Sequence, residues 1–209
     1  MTRVKICGIA RSEDAELAVG LGAWAIGLIH YRESPRFCPP DLATEIAEAM
    51  KRRCEVVGVF VNPTLEEVAE AAERAPLTIV QLHGDEGPSF CAEVARDTGC
   101  KAIKALPVHD AGDVQAAETY RTDFHMFDAR HPGLYGGTGE TFDWELLAER
   151  RSKVPMIVSG GLMPDNVGEA IGRTRPNAVD VASGVEAEPG RKDPQLLRAF
   201  FEGVAAVPA

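Results

Sequence analysis

Residues 55–82 read EVVGVFVNPTLEEVAEAAERAPLTIVQL, and two changes of rhythm divide them. The run 55–61 is almost wholly apolar and rich in valine, as a strand covered on both faces of a parallel sheet is. Thr64 then stands before Leu65, Glu66 and Glu67. Its hydroxyl can accept a free N–H of a helix's first turn, and the two carboxylates suit the positive end of the helix. Alanine and glutamate recur at helical spacing until a second apolar run, 77–82, restores the strand pattern.

The same alternation extends to both ends of the chain. Strands are predicted at 4–9, 23–29, 55–61, 77–82, 101–106, 123–128, 156–159 and 178–181. Further helix starts are marked by Ser12 before Glu13 and Asp14, by Pro164-Asp165 before Asn166 and Val167, and by Asp193-Pro194. Eight βα units in 209 residues leave little chain for insertions. That economy favours an α/β fold with one domain over 1–209, a closed (β/α)8 TIM barrel, over an open doubly wound sheet with a second domain. The one long stretch without periodicity, 129–141, contains HPGLYGGTG and follows the sixth strand. A glycine-rich loop on that side of a barrel is read as a substrate lid, with a plain linker as the alternative.

Composition narrows the class. A formal charge of -10 is wrong for a protein that neutralises phosphates along a nucleic acid. Five cysteines, Cys7, Cys38, Cys54, Cys91 and Cys100, form no CxxC pair, so neither a disulfide framework nor a thiolate zinc site is indicated and a reducing cytoplasm fits. The opening MTRVKICGIA has no apolar core of a signal peptide, and no stretch reaches the length of a membrane span. HExxH, Walker-type GxxxxGK[ST] and paired His–carboxylate spacings are absent, so no metal or nucleotide cofactor is expected. The partner expected is a small molecule, not a nucleic acid or a membrane, and a monomer is favoured over a homodimer.

In barrels of this kind the reacting groups close the C-terminal ends of the strands. There stand Cys7, His83, Asp128 and the glycine–serine turns Ser159-Gly160-Gly161 and Ser183-Gly184. Cys7 shares a strand face with Lys5 by period-two alternation, so a cation beside the thiol should favour its ionised form and make it a usable base. A small buried hydrophobe is the other reading of such a cysteine. Asp128 ends the strand Phe124-His125-Met126-Phe127, where a carboxyl group is costly unless it faces the polar mouth. It is read as a general acid, or else as a capping residue of the loop. The two turns let backbone N–H groups of Gly160, Gly161, Ser183 and Gly184 approach a phosphate. Arg36, after Ser34-Pro35, could pair with a carboxylate or be an ordinary surface arginine. His83 is either a donor to a ligand or a satisfied polar group, and Asp180, inward on the last strand, is a further contact candidate.

Seven motifs then occur in order: KICG at 5–8, SPR at 34–36, GVFVN at 58–62, QLHGDE at 81–86, GLYGGTGETFDW at 133–144, SGGLMPDNV at 159–167 and SGVEAEPGRKD at 183–193. On these, the chain resembles the phosphoribosylanthranilate isomerase family over nearly its whole length. The resemblance implies a cofactor-free Amadori rearrangement of N-(5-phosphoribosyl)anthranilate in tryptophan biosynthesis. It implies Cys7 as base, Asp128 as acid, Arg36 on the anthranilate carboxylate and the last two turns on phosphate. It also makes Gly136, Gly137, Thr138 and Gly139 part of a cover over the site. Two positions depart from the family pattern: Ala182 stands where a serine is usual, and His30 where another aromatic residue is. Another phosphosugar barrel, or a non-catalytic phosphate-binding barrel, remains the alternative. A metal-dependent epimerase would need His and carboxylate ligands, and an indole-glycerol-phosphate synthase a lysine acid, that these strand ends do not supply.

Overall fold

In the computed structural model, which describes residues 1–129 and 141–208, eight parallel strands close into a barrel in chain order. They are β1 Arg3–Cys7, β2 Ala25–Ile29, β3 Glu55–Phe60, β4 Ile79–Leu82, β5 Lys101–Pro107, β6 Phe124–Asp128, β7 Met156–Val158 and β8 Ala178–Val181. Each of the eight predicted strands exists, with ends moved by up to two residues. The helices are α1 Ser12–Gly20, α2 Pro40–Met50, α3 Leu65–Arg74, α4 Pro88–Thr98, α5 Ala111–Ala116, α6 Val167–Thr174 and α7 Pro194–Ala205. Between β6 and β7 the described residues hold a 3₁₀ segment, Trp144–Glu149.

The period-two alternation of strand side chains sorts them into two cores. Inside the barrel, Ala25, Val57, Ile79, Ile103, Met126 and Ile157 meet across the axis. Outside it, Ile6, Ile26, Leu28, Val80 and Phe127 pack under the helices, against Ile46, Val68, Val94 and Phe200. At the N-terminal end the guanidinium of Arg3 lies 4.2 Å from the Trp24 ring centroid and 5.5 Å from that of Phe124. This cation–π stack floors the barrel, so its open end is the C-terminal one.

Local signals decide where the helices begin. Thr64 caps α3 as expected, accepting from Glu67 N while the Glu67 side chain accepts from Thr64 N. Asp193 caps α7 by accepting from Gln195 N and Leu196 N. Two starts differ from expectation. Arg11 is the residue before α1, and the Ser12 hydroxyl donates to Glu45 of α2 instead of capping its own helix. The helix expected to open at Asn166-Val167 behind Asp165 begins at Val167 with Asn166 as its cap position, because the Asn166 side chain accepts from Met163 N and donates to the Gly161 carbonyl, holding the preceding residues in a turn. After β8 comes a small antiparallel hairpin, β9 Glu186–Glu188 and β10 Arg191–Lys192, turned by Gly190 at φ 83.

His30, just past β2, lies flat on Phe60 with ring centroids 4.7 Å apart and planes 9° from parallel. The stack explains how an imidazole fills a place for an aromatic ring. Its Nε2 is buried and, among the described residues, has no hydrogen-bond partner. Burial pushes its pKa down from 6.5 to about 4. A base with a depressed folded pKa leaves the unfolded chain holding the extra proton between those values, so stability rises with pH across that window and is lost as pH falls below about 6.5. Urea denaturation at pH 7 and pH 4 should show a loss assignable to His30 of up to about 3 kcal/mol. His30→Phe should remove that component; an unchanged pH dependence would show that the ring is already solvated.

Candidate active site

The open end of the barrel holds a pocket of roughly 690 Å³ counting its mouth. Cys7, Arg36, His83, Asp128 and Asp180 all line it, as do Gly160, Gly161, Ser183 and Gly184 of the last two turns. The predicted cover residues Gly136, Gly137, Thr138 and Gly139 lie outside the described residues. Size and enclosure suit one small molecule.

Cys7 is the last residue of β1 and points inward, 6% exposed. Its register partner on β2 is Gly27, where an added methyl would sit 2.9 Å from the Cys7 sulfur and 3.2 Å from the Lys5 ammonium. Only a glycine leaves room there for both groups. Below the thiol, Lys5 Nζ donates to Asp180 Oδ1 at 2.7 Å, and Ser159 Oγ donates to Asp180 Oδ2 at 3.2 Å. Both oxygens of Asp180 are therefore engaged by the protein, which makes it a support of the pocket floor more than a free contact.

The charge balance at Cys7 corrects the sequence expectation. Lys5 is beside the thiol as period-two alternation required, yet burial outweighs it and the thiol pKa is pushed up, with Lys5 and Lys192 pulling down and Asp180 adding to the rise. Burial would also strip Lys5 of its proton, but Asp180 and Cys7 oppose this and its pKa lies above the ordinary lysine value. At neutral pH the neighbours are thus a neutral thiol and an ammonium ion.

Asp128 closes β6, three strands from Cys7 going round through β7 and β8. Its Oδ2 lies 3.2 Å from His83 Nε2, and His83 Nδ1 lies 2.7 Å from Gln81 Nε2. The Gln81 amide can only donate through its nitrogen, so His83 accepts at Nδ1 and carries its proton on Nε2, where it donates to Asp128. Oδ1 of Asp128 faces the turn after β7, where a methyl on Gly160 would lie 2.7 Å away. Gln81 was not singled out from sequence, although it shares the inward face of β4 with His83.

The two glycine turns are packed on one another: a side chain at Gly184 would strike the Leu162 carbonyl. Gly160 and Gly161 have φ of 84 and 60, and among the described residues their N–H groups donate to no backbone acceptor. They face the pocket beside the N-terminus of a 3₁₀ turn, Ser183–Val185, whose first N–H groups are also free of partners within the turn. Such a concentration of amide hydrogens is the arrangement from which anion sites are built.

Arg36 is not the free arm expected of a loop arginine. Its Nε donates to Glu186 Oε1 and Oε2 at 2.9 and 3.0 Å, and its Nη2 to Oε2 at 2.8 Å. Glu186 also accepts from Lys192 Nζ at 2.8 Å. Glu186 and Lys192 both belong to SGVEAEPGRKD, so the motif was visible in the sequence, but the meeting of Glu186 with Arg36, 150 residues away, was not.

A thiol and a carboxyl group on separate strands line one pocket with two glycine turns and a guanidinium, at the end of the barrel where enzymes of the (β/α)8 class carry their active sites. Among the described residues no cluster of three or more His, Cys, Asp or Glu side chains could hold a metal ion. The model of the N-(5'phosphoribosyl)anthranilate (PRA) isomerase family matches residues 4–203, and the chain belongs to that family. An N-(5'-phosphoribosyl)anthranilate isomerase of Geobacter metallireducens is 45% identical, with 99% of this chain and 100% of that one covered. The crystal structure of phosphoribosyl anthranilate isomerase from Thermotoga maritima superposes with a TM-score of 0.90 at 38% identity, covering 99% and 100% of the two chains. A phosphoribosyl anthranilate isomerase in complex with reduced 1-(o-carboxyphenylamino)-1-deoxyribulose 5-phosphate gives 0.86 at 37% identity with the same coverage.

The raised thiol pKa has a direct readout in the ligand-free protein. Alkylation of Cys7 by iodoacetamide, followed on its peptide by mass spectrometry, should still be accelerating at pH 9.0, the ordinary thiol value. A plateau reached by about pH 8 would show that the two lysines overcome burial.

Proposed function

We propose that this chain converts N-(5-phosphoribosyl)anthranilate to 1-(2-carboxyphenylamino)-1-deoxyribulose 5-phosphate, the isomerase step of tryptophan biosynthesis, acting over its whole length as one catalytic domain. The observation that carries the reading is the placement of Cys7 and Asp128 on separate walls of one pocket whose ends are an anion turn and an arginine. Family membership and the related structure that holds the reduced product analogue support it.

The substrate phosphate lies on the N–H groups of Gly160, Gly161, Ser183 and Gly184, and the anthranilate carboxylate meets Arg36. With both ends held, the ribose spans the two reacting groups, and alignment of this kind is worth several kcal/mol of barrier. Asp128, its Oδ2 held by His83, carries the acid proton on Oδ1 and gives it to the furanose ring oxygen. The bond from that oxygen to C1 breaks as the anilino nitrogen lone pair forms the C1=N iminium bond. The cation acidifies the C2 proton and lowers the cost of a thiolate nearby. Cys7 acts through its thiolate form, its own proton having passed to solvent: the sulfur takes the C2 proton, the C2–H electrons become the C1=C2 bond and the iminium electrons return to nitrogen. The enolamine then tautomerises to the ketone. Apart from the thiol's own proton, which goes to solvent, protons pass between protein and substrate, and no step changes an oxidation state that would need a redox partner.

The five cysteines are free, which suits a reducing compartment and supports a cytoplasmic setting. No described helix is long and apolar enough to cross a membrane. Large exposed apolar side chains among the described residues are Met1, Met163 and Leu196, too few to form an association face, which supports a monomer.

The test generates the substrate in situ and follows the decay of anthranilate fluorescence. The wild type should accelerate that decay. Cys7→Ala and Asp128→Asn should each reduce turnover by about 10²- to 10⁴-fold, while the reduced product analogue still binds. Near-wild-type turnover in either variant removes the residue from its role, and no enzyme-dependent decay at all leaves a phosphate-binding barrel of another function.

A further inference from the structure

The Arg36 fork and the turn after β8 would hold opposite ends of the same ligand, and one buried ammonium ion touches the supports of both. Lys192 Nζ donates to Glu186 Oε1 at 2.8 Å and to the Ala182 carbonyl at 3.0 Å, and Ala182 is the residue before Ser183. Glu186 in turn chelates Arg36. The Glu186 and Lys192 side chains are 4% and 0% exposed, so this is a built contact and not a surface ion pair. The hairpin that carries it is fastened elsewhere: Lys192 N donates to Asp14 of α1, Asp193 N to the Val185 carbonyl, and Gly190 packs on the backbone of Pro35 and Arg36.

A guanidinium has five N–H groups in one plane. Glu186 takes the edge formed by Nε and Nη2, which leaves the end formed by Nη1 and Nη2 to chelate a second carboxylate from the pocket side. Burial would raise the Glu186 pKa, but Arg36 and Lys192 outweigh it and hold the carboxylate ionised. A charged partner of this kind keeps the fork in one orientation, whereas a long arginine on a loop otherwise loses rotamer freedom on each binding event.

We infer that Glu186 and Lys192 are positioning residues that aim the Arg36 fork and set its distance from the phosphate turn, so that the pocket selects ligands bearing a carboxylate and a phosphate at one separation. The inference rests on the isomerase reading for the identity of that ligand. Glu186 acts through Arg36, and Lys192 acts through both Glu186 and the Ala182 carbonyl. The competing picture gives Glu186 the opposite effect: as a rival carboxylate it would weaken the ligand's hold on Arg36.

The two pictures separate on Glu186→Gln, which keeps size and removes charge. Titration with reduced 1-(o-carboxyphenylamino)-1-deoxyribulose 5-phosphate reads binding without turnover, and ribose 5-phosphate serves as the probe that has the phosphate and lacks the anthranilate arm. Glu186→Gln should raise the dissociation constant of the analogue, and the substrate KM, on the order of tenfold, with kcat within about twofold and ribose 5-phosphate binding unchanged. In an Arg36→Met background it should add nothing, because a residue acting only through Arg36 has no effect once Arg36 is gone. Lys192→Met should weaken both probes. Tighter or unchanged analogue binding in Glu186→Gln, multiplying effects in the double variant, or loss of one probe only in Lys192→Met would each overturn the inference. Should Glu186→Gln not fold, Glu186→Asp asks the same question, since it keeps the charge but draws the carboxylate back from the fork; it must weaken the analogue and spare ribose 5-phosphate, whereas a rival carboxylate withdrawn would tighten it. A wild type that binds the analogue and shows no turnover would refute the isomerase reading while leaving the binding comparisons decisive for positioning.

Discussion

Lys5 and Asp180 are register partners on the first and last strands, and their charges meet at 2.7 Å inside a barrel whose other inward side chains are mostly apolar. An ammonium ion alone in such a place would be far costlier than the pair. The pair forms only when β1 and β8 lie side by side in this register. Shifting β8 by one residue would turn Asp180 toward the helices and leave Lys5 unanswered, so the two charges penalise a misclosed barrel. The same pair fixes the floor beneath Cys7, holds Ser159 at the start of the turn after β7, and through that turn places Gly160 beside Asp128. Closure of the fold and assembly of the pocket are thus one event.

Two other buried lysines follow the same logic at other points of the rim. Lys104, on the outer face of β5, donates to Glu86 at 2.6 Å and to the carbonyls of Leu82 and Gly84. Glu86 in turn accepts from the N–H groups of Asn62 and Gly84, joining the loops after β3 and β4 and steadying the segment that presents His83. Lys192 does this for the loop after β2 and the turn after β8. Each ion pair bears a desolvation penalty that an apolar pair would not, and each joins backbone segments that carry pocket residues.

How much of this could be read from the amino acids alone depends on range. Strand period, the Thr64 cap and the glycine turns are local, and the residues that line the pocket follow from asking what ends each strand. Ser12 and Asp165 misled because a side chain found a partner outside the local pattern: Glu45 for Ser12, and a turn stabilised by Asn166 in front of α6. Glu186, Lys192 and Gln81 were written in recognised motifs, but their roles are set by neighbours distant in sequence or across a strand face. The thiol was harder still. Alternation put Lys5 beside Cys7, and only the depth of the site shows that burial overrides the cation.

A raised thiol pKa is compatible with a base at this position. Basicity and ionisation trade against each other: a thiolate that is easy to form is a weak base, and one formed at some cost takes a proton from carbon with greater driving force. The site defers that cost. The proton rests on sulfur, while Lys5 and Lys192 keep a thiolate within reach without making it the resting state. In the proposed reaction ring opening places a positive charge on the substrate beside the carbon that must be deprotonated, between side chains that are themselves buried, where an added charge acts strongly on its neighbours. In the proposed sequence the substrate cation adds to the pull of Lys5 and Lys192, so the thiolate, its proton lost to solvent, meets an acidified C2 only after the acid has acted. On this proposal the order of the two proton transfers follows from where the charges lie.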